Sequence, residues 1–145
     1  MDIYPDEIPA EIQALESFLI WKNIIKEDGK MTKSPVSSAG FRTAHNSPDE
    51  LMPFELAKER LSKASGLGLG ISLLEGVKVN VETHTGYLWC LDFDGFAEPN
   101  NDEVDDGVWS FVESFPSYTE ISPSGTGFKY FFVCDRPPQS KSKIK

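Results

Sequence analysis

The chain lacks three things: a long apolar run, a cysteine framework, and any Lys or Arg between residues 79 and 128. A membrane-spanning helix needs about 20 consecutive apolar residues. The longest apolar runs here are a handful, and the N-terminus shows no signal-peptide pattern, so the expectation is a soluble, cytoplasmic chain without a membrane partner. Cys90 and Cys134 are the only cysteines, they form no CxxC spacing, and both fall in apolar stretches. Two such thiols predict buried, reduced side chains and exclude a disulfide scaffold or a cysteine zinc site.

The missing basic residues matter because net charge is −9 and residues 79–128 hold ten acids. Taken whole, that balance argues against a nucleic-acid partner, since phosphates reward Lys and Arg. Charge is segregated, however: residues 129–145 carry five basic side chains against the single acid Asp135. A bound cation relieves repulsion among clustered carboxylates, so an acidic centre suits a metal site as well as a solvated face. Glu98, Asp102, Glu103, Asp105 and Asp106 read as the solvated kind. With 39% apolar residues, ten Phe and three Trp, 145 residues suffice for one domain with a buried core.

Periodicity predicts a first helix from Pro9 to about Glu16, with Ile8, Ile12 and Leu15 on one stripe. A hairpin follows, Phe18–Lys26 and Met31–Val36 around Glu27-Asp28-Gly29-Lys30. Ser47-Pro48-Asp49-Glu50 reads as a helix start leading into Leu51, Phe54, Leu56, Ala57, Leu61 and Ala64, with Gly66 as the stop. The glycines at 66, 68 and 70 precede a strand, 68–74, and so are no dinucleotide fingerprint. Residues 75–86 read as a polar hairpin connection leading into a strand over 87–93, and Asp105 or Asp106 to Phe115 as a helix that Pro116 ends. Strands Tyr118–Ile121 and Phe128–Cys134 follow, and residues 136–145 form an exposed basic tail. Trp89 and Phe93 are expected in the core beneath the helix that holds Trp109, and His45 and His84 in polar loops.

Chemistry concentrates in two segments. Tyr87-Leu88-Trp89-Cys90-Leu91-Asp92-Phe93-Asp94-Gly95 is a strand ending in two carboxylates one residue apart. Alternation puts Asp92 and Asp94 on one face, spaced to hold divalent cations through oxygen. Ser122-Pro123-Ser124-Gly125-Thr126-Gly127-Phe128-Lys129 is a small-residue turn entering a strand. Taken by itself, Ser124-Gly125-Thr126-Gly127 reads as an ordinary glycine-rich hairpin. Lys22, Lys26, Lys30 and Lys33 make the first hairpin basic, either for nucleic acid or as a solubilising edge.

Together these residues resemble the N-terminal primase–polymerase domain of phage and plasmid replication proteins, a branch of the archaeo-eukaryotic primase superfamily. The likeness runs from Trp21 and Gly29-Lys30-Met31-Thr32-Lys33-Ser34-Pro35 through Gly40, Ala44, the Pro48 helix and Gly68-Leu69-Gly70. Leu91-Asp92-Phe93-Asp94 is similar to the family's first catalytic motif, and Tyr118–Gly127 resembles the strand and turn before its second. The resemblance implies an α+β fold: an antiparallel-rich sheet of the RNA-recognition-like primase type, with helices packed on it and an N-terminal hairpin layer. It implies a domain over residues 1–135, incomplete at its C-terminal end, and a tail or linker over 136–145. It further implies template-directed nucleotidyl transfer, with Asp92 and Asp94 as catalytic ligands of Mg²⁺ or Mn²⁺ and the backbone N–H groups of Ser124, Gly125, Thr126 and Gly127 offered to phosphate oxygens. Nucleotide triphosphates, a DNA or RNA template and primer, and a downstream helicase domain are the implied partners.

Two departures make the expected activity of this chain alone absent or weak. Lys129 stands where the family has a phosphate-contacting His, and a Lys offers a point charge without an imidazole's geometry. The family's third acid has no match, because Asp135 comes too soon. The competing expectation is a non-catalytic primase-fold relative whose acidic surface binds a protein or mimics DNA.

Overall fold

A computed structural model of the chain describes residues 4–37, 39–40, 43, 48–73, 76–95, 106–122 and 125–137. The chain divides into two compact units, Asp2–Val77 and Lys78–Lys145. Together they make a mixed α+β fold in which every strand pairing among the described residues is antiparallel. No helix among the described residues is long and apolar enough to cross a membrane.

In the N-terminal unit a short helix α1 (Ala10–Gln13) precedes strands β1 (Phe18–Ile25) and β2 (Met31–Val36), helix α2 (Phe54–Lys63) and strand β3 (Leu67–Ile71). The sheet order is β2-β1-β3. The predicted stripe Ile8, Ile12 and Leu15 is buried, although the helix itself is one turn. Even-numbered residues of β1 supply the core: Phe18 and Ile20 are buried, and the Phe18 ring meets Phe54 of α2 at 5.3 Å between centroids. The opposite face carries Trp21, whose indole N–H donates to the Leu69 carbonyl at 2.8 Å. The ring packs against Gly68, where a Cβ would sit 2.1 Å from it. Only glycine leaves room there.

The predicted helix start at Ser47-Pro48 is not where α2 begins. Ser47 lies outside the described residues, Pro48–Glu50 makes a single 3₁₀ turn, and α2 starts after Pro53. Pro53 pushes the residue before it into an extended conformation. Met52 accordingly exchanges two backbone hydrogen bonds with Phe18, at 2.9 and 3.1 Å. Leu56, assigned to the buried stripe, is exposed, whereas Phe54 and Ala57 are buried.

The C-terminal unit holds β4 (Lys78–Val81), β5 (His84–Asp94), α3 (Asp106–Ser114), β6 (Thr119–Ile121) and β7 (Gly127–Cys134). Its sheet order is β4-β5-β7-β6, so β5 and β6 run in the same direction on either side of β7. The hairpin connection expected over 75–86 is a strand pair, β4 against the first residues of β5. His84 therefore begins a strand, while His45 lies outside the described residues. Helix α3 covers the sheet face of Phe93, Phe128 and Tyr130: Phe111 lies 6.1 Å from Phe93 and 5.3 Å from Tyr130, centroid to centroid. Phe93 is thus under the helix as expected. Trp109 instead faces solvent, and Trp89 is half-buried with its indole N–H on the Arg136 carbonyl at 2.8 Å.

Candidate functional site

Strand β5 runs through eleven residues, and its central neighbour β7 pairs with it from Tyr87↔Cys134 to Asp94↔Gly127. Alternation sends Tyr87, Trp89, Leu91 and Phe93 to one face and Leu88, Cys90, Asp92 and Asp94 to the other. Since α3 covers the Phe93 side, the carboxylates occupy the reverse face, both exposed. Two strand steps separate them, about 7 Å.

Register brings Lys129 to the carboxylates. It is the direct partner of Asp92 on β5 and of Glu120 on β6. Its Nζ lies 2.6 Å from Asp92 Oδ1. The result is a row across three strands: acid, lysine, acid. Glu120 is oriented as well, because its Oε1 accepts a hydrogen bond from the Tyr118 hydroxyl at 2.8 Å. The Lys129 and Asp92 side chains are 33% and 50% exposed, so their ion pair is screened. A pair of that exposure contributes at most about 1 kcal/mol.

Cys90, two residues before Asp92 on the same face, registers this row. Burial foremost pushes its thiol up to about 11; Lys129 pulls it back, while Asp92 and Glu120 push it further up. Both cysteines are free, and Cys90 is a neutral thiol at physiological pH.

The turn between β6 and β7 has its own bookkeeping. The Ser122 N–H donates to the Gly127 carbonyl at 2.7 Å, and the Gly125 N–H donates to the Ser122 carbonyl at 2.8 Å. The Gly125 donor is therefore used inside the hairpin, against the expectation that it faces a phosphate. Ser124 lies outside the described residues, and Thr126 is half-buried. Gly127 lies where a Cβ would be 2.1 Å from the Phe93 carbonyl oxygen, so glycine alone lets β7 close on the acidic end of β5.

Lys22, Lys26, Lys30 and Lys33 belong to the N-terminal unit and do not converge on one face. Lys22 pairs with Ser34 and Lys33 with Asn23, adjacent rungs whose side chains project to opposite sides of the hairpin. Lys33 Nζ lies 5.2 Å from the Trp21 ring centroid, a cation–π contact. Glu27 and Asp28 interrupt the lysines at the turn.

As cation ligands, Asp92 and Asp94 have the right chemistry, hard oxygen donors open to solvent on one face. Among the described residues no group of three His, Cys, Asp or Glu side chains is close enough to hold a metal ion. Lys129 already contacts one of the donors. The set fits a weak oxygen site shared with an internal cation. Asp135 is out of reach: it follows the far end of β7, beyond Cys134↔Tyr87, about 20 Å along the sheet from Asp92.

Glu120 is the member of this row that the motifs did not assign. Its position was countable, since Glu120 and Lys129 stand equally far from Ser122 and Gly127, the pair that closes the hairpin. No protein-family model and no curated protein sequence matches the chain at a significant level.

Proposed function

We propose that the chain is a primase–polymerase-type domain for template-directed nucleotidyl transfer, weak by itself. The observation supporting this most directly is a juxtaposition. Asp92 and Asp94 on β5 meet Gly127 and Lys129 on β7 rung for rung, although more than thirty residues separate the two segments in sequence. In this reading Asp92 and Asp94 hold Mg²⁺ or Mn²⁺ and Lys129 contacts the triphosphate. The cation, when bound, supplies the Lewis acidity that such phosphoryl chemistry needs. Lys129 neutralises phosphate charge, Glu120 stands opposite it on β6, and α3 keeps the reverse of the sheet dry beneath Phe93 and Tyr130. Activity is weak because two acids stand where the family uses three, and misplacement of about 1 Å costs on the order of a hundredfold.

The test is primer extension with Mn²⁺ and deoxynucleotides, alongside Asp92→Ala and Asp94→Ala. Weak synthesis that both substitutions abolish supports the reading. Synthesis unchanged in the double variant contradicts it.

Two observations favour a second reading, a non-catalytic relative that binds a protein through its acidic surface. Lys129 already satisfies Asp92, and the acids form no three-donor cluster among the described residues. That reading predicts no Mn²⁺ binding and no triphosphate binding at all.

A further inference from the structure

Lys129 is the sole Lys or Arg in residues 79–135, a stretch that includes Asp92, Asp94 and Glu120. Its ammonium sits 2.6 Å from Oδ1 of Asp92, one of the two carboxylate oxygens that a divalent cation would use. Resting on the nucleotidyl-transfer reading, we propose that Lys129 is a resident counter-ion that leaves Asp92 for an incoming triphosphate. Cation binding and triphosphate binding at this face are thereby coupled.

The pair is built to exchange. Half of the Asp92 side chain and a third of Lys129 face water, and at that exposure the pair holds by no more than about fivefold. A triphosphate carries several negative charges, so it outcompetes one carboxylate for the ammonium. While Lys129 remains, it repels a divalent cation and covers one of its donors. Once it moves, Asp92 and Asp94 are both open on one face, with Glu120 on the flanking strand.

Divalent cation alone therefore binds weakly, and triphosphate alone must first break the ion pair. Each ligand removes the obstacle to the other. Linkage requires the two effects to be reciprocal.

The experiment uses the full chain and two separate titrations, Mn²⁺ without nucleotide and adenosine triphosphate in EDTA. Lys129→Met should bind Mn²⁺ about tenfold more tightly than the wild type and the triphosphate about tenfold more weakly; Lys129→Gln, checked by circular dichroism, should do the same. Asp92→Asn should tighten triphosphate binding more than Asp94→Asn does, because both remove one negative charge but only the first frees Lys129. Unchanged or weaker Mn²⁺ binding in both Lys129 variants, with Asp92→Ala still abolishing it, overturns the exchange and leaves the site standing. Equal effects of Asp92→Asn and Asp94→Asn also overturn it. Mn²⁺ binding that survives Asp92→Ala/Asp94→Ala removes the site and the exchange together.

Discussion

At the scale of single residues, the carboxylate face is governed by one lysine and reported by one thiol. Cys90 is pushed up to about 11 from an ordinary 9, chiefly by burial, with Lys129 as the opposing influence. A thiol whose folded value is raised favours the fold below pH 9, and that contribution is lost as pH climbs through 11. At pH 8 the thiolate fraction is on the order of a hundredfold below that of an ordinary thiol. Alkylation of Cys90 should accordingly be about a hundred times slower than in the unfolded chain and rise tenfold per pH unit up to pH 11. In Lys129→Met the same rise should shift to still higher pH; a shift to lower pH would mean that Lys129 does not act on this face. In the N-terminal unit the Ser34 hydroxyl is buried with no hydrogen-bond partner among the described residues. An unpaired buried hydroxyl costs about 1–3 kcal/mol. Ser34→Ala should leave stability unchanged or raise it by about 1 kcal/mol in urea unfolding, and a loss above that would reveal a partner.

Elements were legible where the local signal agreed with the packing. The first hairpin, α3, β7 and the acidic end of β5 lie within a residue or two of their expected positions, because alternation and turn residues pointed one way. The start of α2 was misplaced because Ser47-Pro48 offers a good cap while Pro53 imposes the actual break, and the bridge from Met52 to Phe18 settles the competition. β4 was missed although Val77, Val79 and Val81 alternate with polar residues, a pattern that should have outweighed the polar neighbours. Lys129 beside Asp92 was expected from the motif, whereas the row with Glu120 needed the hairpin register. What the sequence could not supply was the spending of backbone donors, as at Gly125, since that depends on how the turn closes. One element has a sharp mechanical test. Trp21 lies on Gly68, and a Cβ there meets the ring at 2.1 Å. Gly68→Ala should cost about 1–3 kcal/mol in chemical unfolding and shift the Trp21 fluorescence, as overpacking does; a neutral effect would mean that the ring is free to move aside.

For the whole molecule, charge and unit organisation set what partners are reasonable. The lysines of the first hairpin sit in one unit and the carboxylates in the other, and the hairpin register splits Lys22 from Lys33. Two or three phosphate contacts are the most such a surface supplies at once. Single-stranded DNA binding should be weak, with a log–log salt slope of about −2, and Lys22→Ala/Lys26→Ala should flatten it. Tight, salt-insensitive binding in fluorescence anisotropy would contradict the electrostatic account. The central claim is that Asp92 and Asp94 form a cation site facing Lys129, and calorimetric titration of the full chain with Mn²⁺ tests it most directly. The account predicts binding in the millimolar to micromolar range of weak oxygen sites, roughly, that vanishes in Asp92→Ala/Asp94→Ala; equal heats from the wild type and the double variant would contradict it.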